Sequence, residues 1–119
     1  MINDYEDLIV WQRSMDLVEE VYKLVKLLPN EENYGLASQM RRAAVSIPSN
    51  IAEGQSRHTS KEFLQFLSIA NGSKSELKTQ LKICVRLGYL SDEHIKTAAG
   101  LCDEINKMLY VLMNKLRKQ

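Results

Sequence analysis

Lys74, Lys78, Lys82 and Arg86 stand four residues apart and are the residues of this chain best suited to a recognisable chemistry. On a helix, that spacing makes a ridge that drifts from the edge of an apolar face toward solvent. No acid lies four residues from any of them, and like charges at this spacing repel by about 0.2–0.5 kcal/mol per pair. Arg41 and Arg42 face outward on the preceding helical segment, and Arg57, His58 and Lys61 cluster at the loop after it. Rows of this kind neutralise phosphates, giving salt-sensitive binding that carries no sequence code. Tyr89 is the only neighbouring aromatic, too little for a base-stacking platform. The competing use of the same cations is a solvated or intersubunit charge face.

A second constellation is Gln39, Ser46, Asn50 and Glu53, which share one helical stripe beside Ile47. Polar residues bordering a core are hydrogen-bonded to their neighbours. The stripe is therefore read as a device for helix register or subunit contact. Pro48 lies inside it, where it removes a backbone donor and crowds the carbonyl of Ala44, at a usual cost of about 3 kcal/mol. The break falls near the end of its helix, with about one turn beyond it. A catalytic use of Glu53 lacks a neighbouring nucleophile or base.

Templates for metal and nucleotide chemistry are absent from the sequence. His58 and His94 are the only histidines, and neither follows a glutamate by three, as a di-iron bundle requires. There is no Cys-x-x-Cys pair and no glycine-rich phosphate loop. No catalytic residue, metal site or cofactor is assigned, and the chain is read as not being an enzyme. His58 falls in a solvated loop and His94 in a first helical turn, both read as structural or neutral. Cys84 and Cys102 flank a helix-helix turn and are offset by roughly 10 Å along the axis of an antiparallel hairpin. That is too far for a disulfide, and both fall on apolar stripes, as buried thiols do.

The elements that must carry these residues follow from periodicity. Leu8, Trp11, Met15, Val18, Tyr22 and Val25 form an apolar stripe, with Leu17, Val21, Leu24 and Leu28 beside it, and Pro29 ends the helix. A second helix has Leu36, Met40, Ala43, Ile47 and Ile51 inward, with Gly54 as its C-terminal cap. Thr59-Ser60-Lys61-Glu62 reads as a capping box opening a third. Its inward set is Phe63, Phe66, Ala70, Ser73, Leu77, Leu81 and Cys84, and Gly88 closes it. Ser91 caps a fourth, in which Ile95, Ala98, Cys102, Ile105, Leu109, Leu112 and Leu116 repeat at heptad spacing. The spacing predicts helices over about 7–28, 34–53, 60–87 and 92–118. Joined by short loops, they make an all-α, up-down-up-down antiparallel four-helix bundle spanning 1–119 as one domain. Helices one and four carry more apolar surface than such a core needs, which predicts a homo-oligomer.

Charge is unevenly distributed behind a formal net of +1. Residues 1–32 hold eight acids and three bases; residues 33–91 hold three acids and eight bases. The basic middle can attract a polyanion. Alternatively, its ridge meets the acidic first helix of another subunit, with Lys78 and Lys82 against Asp16, Glu19 or Glu20. No apolar run approaches the ~20 residues that span a bilayer, and Met1–Asp7 is acidic, unlike the basic start of a signal peptide. The expected location is cytoplasmic, with no membrane partner.

The run Gln39-Met40-Arg41-Arg42-Ala43-Ala44-Val45-Ser46-Ile47-Pro48-Ser49-Asn50-Ile51-Ala52-Glu53-Gly54 resembles the signature of a bacterial four-helix-bundle family. It is the family of proteins encoded by intervening sequences within 23S rRNA genes, some of which carry a ribosomal-protein label. The accessory protein of diversity-generating retroelements is a relative. The likeness extends through Tyr5-x-x-Leu8-x-x-Trp11, Pro29-x-x-Glu32-x-Tyr34-Gly35-Leu36, Lys61-Glu62-Phe63-x-x-Phe66-Leu67, Glu76-Leu77-x-x-Gln80-Leu81 and Leu87-Gly88-Tyr89-Leu90. The resemblance implies assembly as a ring, with a homopentamer as the expected form, and a role in binding nucleic acid. In the retroelement branch it implies a reverse transcriptase as partner. It brings no catalytic residues. The expectation is thus a non-enzymatic accessory or scaffold that binds RNA or DNA through Arg41, Arg42, Arg57, Lys61, Lys74, Lys78, Lys82 and Arg86. Gln39, Ser46, Pro48, Asn50, Glu53 and Gly54 would serve as its assembly motif. The alternative is a protein-interaction module with no nucleic-acid contact.

Overall fold

A computed structural model describes residues 4–119, so Met1, Ile2 and Asn3 of the acidic N-terminal segment lie outside the described residues. The chain folds into four helices: α1 (Ile9–Val25), α2 (Leu36–Gln55), α3 (Ser60–Arg86) and α4 (Asp92–Arg117). Two 3-10 turns, Tyr5–Asp7 and Asn30–Glu32, precede α1 and α2, and there is no strand among the described residues. Each helix packs on the next, and α1 also packs on α4. None of the described helices is long and apolar enough to cross a membrane.

Local chemistry sets the ends. Asp4 accepts a bond from the backbone of Glu6 and holds the first 3-10 turn. α1 is therefore shorter than the predicted 7–28 at both ends. Beyond Val25 the chain tightens into i→i−3 bonds at Leu27 and Leu28 before Pro29, which is extended. Thr59 accepts from the backbone of Glu62, but Glu62 returns its carboxylate to the Thr59 hydroxyl rather than to the backbone. The complete capping box is at α4. There the Ser91 hydroxyl accepts from the His94 backbone, and His94 Nδ1 accepts from the Ser91 backbone. Gly88, at φ 79°, ends α3. Tyr89 N–H donates to the Cys84 carbonyl and Gly88 N–H to that of Val85, the paired bonds of a Schellman closure.

The packing decides which stripe α1 buries and departs from the sequence expectation on α2, α3 and α4. On α1 the core face is Val10, Ser14, Leu17, Val21, Leu24 and Val25. The stripe through Trp11, Met15, Val18 and Tyr22 lies toward the surface, with Met15 and Tyr22 exposed. Contact with both α2 and α4 rotates the helix onto its second stripe. Ser14 is tolerated inside because its hydroxyl donates to the Trp11 carbonyl.

On α2, Gly54 is not a cap. The helix continues to Gln55 with Ser56 as its C-cap, and seven residues follow Pro48, about two turns. Gly54 is buried where α3 crosses closely: a Cβ there would lie 2.8 Å from Phe63 Cδ1 and 2.9 Å from Phe66 Cβ. On α3, Lys74 and Gln80 are buried, whereas Phe63, Phe66 and Ser73 are only half-buried. On α4, Met113 is buried and Leu112 and Leu116 are half-buried, because a straight helix drifts about 20° per heptad off a 3.5-residue repeat.

Candidate nucleic-acid interface

The basic ridge lines a groove between α3 and α4. Its lining includes Lys74, Ser75, Lys78, Thr79 and Lys82 from α3, with Cys102, Asp103 and Asn106 from α4. The ridge climbs out of the core as its spacing predicts: Lys74 is 6% exposed, Lys78 half-buried, Lys82 and Arg86 exposed. Lys74 Nζ donates to Asn71 Oδ1 at 2.9 Å and to Asn106 Oδ1, both neutral acceptors. Burial pushes its ammonium below the ordinary lysine value, and the charge of Lys78 adds to that. Lys74 thus sits at the groove floor rather than on the open surface that the sequence suggested.

Lys78 donates to Asp103 Oδ1 at 2.6 Å. The bond holds the Asp103 carboxyl below, and the Lys78 ammonium above, their ordinary values. The ridge thus meets an acid after all, supplied by the next helix rather than by its own. Within the chain Asp16 is bonded to Arg13 instead. At the groove wall Cys102 is fully buried, and desolvation pushes its thiol up to about 11. Cys84 is also buried, and both thiols are free.

The other flank of α3 faces α2 across a separate cleft lined by Gln39, Arg42, Ala43, Ser46, Ser73 and Glu76. Ser46 is its organiser. Its hydroxyl oxygen accepts from Asn50 Nδ2 at 2.9 Å and from the Ser73 hydroxyl at 2.8 Å, while Asn50 also reaches the Ser46 carbonyl. Asn50 thus holds Ser46 within α2, and the Ser46–Ser73 bond ties α2 to α3. Gln39 lines the open cleft, and Glu53 points away to an ion pair with Arg57. Gln80, 4% exposed, donates weakly to Glu76 at 3.4 Å, and its Oε1 has no partner among the described residues.

The fold does not gather the eight predicted cations on one face. Lys74, Lys78 and Lys82 share the α3–α4 groove; Arg42 lies in the α2–α3 cleft. Arg41 turns toward the α1–α2 side and donates to the Asn33 carbonyl at 3.2 Å. Arg57 lies over the Phe66 ring, 4.8 Å from its centroid. Lys61 is exposed in the first turn of α3. Among the described residues, Arg42, Lys61, Lys82 and Arg86 are exposed cations with no carboxylate partner.

Asn71, Asp103 and Asn106 were not anticipated. Asn71-x-x-Lys74 was readable as an i, i+3 pair. Asp103 and Asn106, each one residue past an inward position of α4, sit on the seam's edge, but nothing local says which helix they meet.

The chain was compared with known proteins. A family model described as 23S rRNA-intervening sequence protein matches residues 6–111. Among solved structures, one similar to this chain is the 1.70 Å crystal structure of a protein of unknown function from the S23 ribosomal protein family of Bacteroides thetaiotaomicron VPI-5482. It aligns with a TM-score of 0.81 and 27% sequence identity, over 87% of this chain and 97% of that one. No curated protein matches.

Proposed function

The chain belongs to the family of 23S rRNA-intervening sequence proteins, and on that premise we propose that it is a non-enzymatic accessory or scaffold protein of the bacterial cytoplasm that binds RNA or DNA through phosphate contacts. The observation that carries this reading is the α3 ridge, where Lys82 and Arg86 are exposed and unpaired and a single carboxylate, Asp103, answers three lysines. Such an excess is what a polyanion neutralises. Lys82, Arg86, Lys61 and Arg42 supply the outer contacts. Lys78 and Arg57 are already in ion pairs and contribute less. In this reading the helices run up-down-up-down and the chains assemble as a homo-oligomeric ring, a pentamer by the family resemblance. A reverse transcriptase is the partner if the gene belongs to a retroelement.

The test is fluorescence anisotropy with structured RNA over a salt series. Log affinity is expected to fall linearly with log salt, and Lys82→Ala or Arg86→Ala to weaken all sequences alike, each lowering the slope by about one. Flat salt dependence, or no binding at low salt, overturns the reading.

A second reading is favoured by the apolar residues left outside the core: Ile9 (59% exposed), Val111 (54%) and Tyr22 (42%). They suit contacts between copies, and in that reading the protein is an interaction module whose basic ridge serves subunit or partner contacts.

A further inference from the structure

The α3–α4 groove holds the ammonium of a buried lysine that no carboxylate among the described residues pairs with. Lys74 Nζ has three donors, and two are taken by the amide oxygens of Asn71 and Asn106. Those neutral oxygens hold the nitrogen in place without cancelling its charge. No carboxylate among the described residues pairs with Lys74, since Asp103 is bonded to Lys78. A buried charge left in this state is costly unless something pairs with it. The groove around it has a volume of about 310 Å³, is open to solvent, and adds the polar side chains Ser75 and Thr79. Lys74, Lys78 and Lys82 against Asp103 leave two positive charges in the groove.

We propose that this groove seats one phosphate monoester dianion, with Lys74 at its floor and Lys82 at its mouth. The third donor of Lys74 binds one of its oxygens, and the Lys82 ammonium, about two turns along α3, adds attraction from the mouth. An internal phosphodiester carries a single charge, so the two positive charges select a terminal phosphate, which carries nearly two near neutral pH. The phosphate is either that of a strand end or free inorganic phosphate. The strand-end source rests on the nucleic-acid reading above.

The experiment compares one short RNA oligonucleotide bearing a 5′-phosphate, a 3′-phosphate or hydroxyls at both ends, with inorganic phosphate as a separate ligand and competitor. One terminal phosphate is expected to tighten binding by roughly tenfold, equivalent to about 1.4 kcal/mol, and inorganic phosphate to erase that advantage. Lys74→Met should abolish the preference, with the hydroxyl RNA as the reference against which any general loss of binding is read. Methionine keeps the length of the lysine stem and removes the unpaired charge, and helical circular dichroism checks that the variant folds. Asn106→Asp is the second variant. It gives Lys74 a carboxylate in place and should exclude phosphate while leaving the lysine present.

Equal binding of all three oligonucleotides overturns the proposal for RNA ends, and retained discrimination in both variants overturns the assignment to Lys74. In either case salt-dependent RNA binding leaves the nucleic-acid reading intact. If no RNA binds but inorganic phosphate binds in a Lys74-dependent way, the nucleic-acid reading falls and the phosphate seat stands.

Discussion

Lys78 and Asp103 are both partly in water, and their bond ties one charge of the ridge to α4. The folded Asp103 carboxyl titrates below its ordinary 3.8, so its contribution to stability is present above about pH 4 and is lost as pH falls through the folded value. The Lys78 ammonium titrates above 10.5, so its contribution is present below that value and is lost as pH rises through the folded one. The wild type should therefore have a higher urea midpoint than Asp103→Asn at pH 7. The difference should shrink below about pH 4 and at high salt; a gap that persists at pH 2 would contradict the ion pair. Gly54 makes the opposite kind of demand. Alanine normally favours a helix over glycine by about 1 kcal/mol. Here the added methyl would press on Phe63 and the Phe66 Cβ, so Gly54→Ala should instead destabilise by about 1–3 kcal/mol. That corresponds to a fall in Tm of roughly 4 °C per kcal/mol. Thermal melting followed by circular dichroism decides the sign. The sequence marked Gly54 as special, but it could not say why, because the phenylalanines that crowd it belong to the next helix.

At the scale of the element, most boundaries were readable because the signals are local. Thr59, Gly88 and Ser91 act at the positions their chemistry predicts. His94, read from the sequence as structural or neutral, completes the cap of α4 by accepting the Ser91 N–H. Ser91→Ala removes one half of that exchange and should cost about 1 kcal/mol, with faster amide exchange confined to the first turn of α4. Faster exchange across the whole helix would mean that the cap supports more than its own turn. Glu32 joins elements in a way no local rule anticipates. One carboxylate oxygen accepts the Leu36 N–H at the start of α2, and the other accepts the Tyr89 hydroxyl from the turn between α3 and α4. α1 shows the limit of periodicity: both apolar stripes were visible, but not which of them would be buried.

At the scale of the whole molecule, two apolar grooves stay open among the described residues. One groove is lined by Ile9, Met108, Val111 and Leu112, where α1 meets α4; another, lined by Tyr5, Trp11, Met15, Val45 and Pro48, runs along α1 and α2. Two different patches on one chain suit head-to-tail contacts, which close into rings when the rotation permits. Light scattering of the wild type should give a multiple of the chain mass. Val111→Glu and Met15→Glu should each shift it toward the monomer with helical content retained. An unchanged mass in both variants would remove these surfaces as the contact.

The sequence by itself determined the four helices, the caps at Thr59 and Ser91, the closure at Gly88, the drift of the basic ridge toward solvent and the family likeness. All of these rest on residues within a few positions of one another. Only the tertiary structure decided the stripe α1 buries, the crowding at Gly54, the division of the cations between two grooves and the environment of Lys74. Desolvation and pairing depend on what lies opposite. Lys78 finds its carboxylate 25 residues away and Lys74 its second amide 32 residues away, across a helix-helix seam that no local pattern encodes.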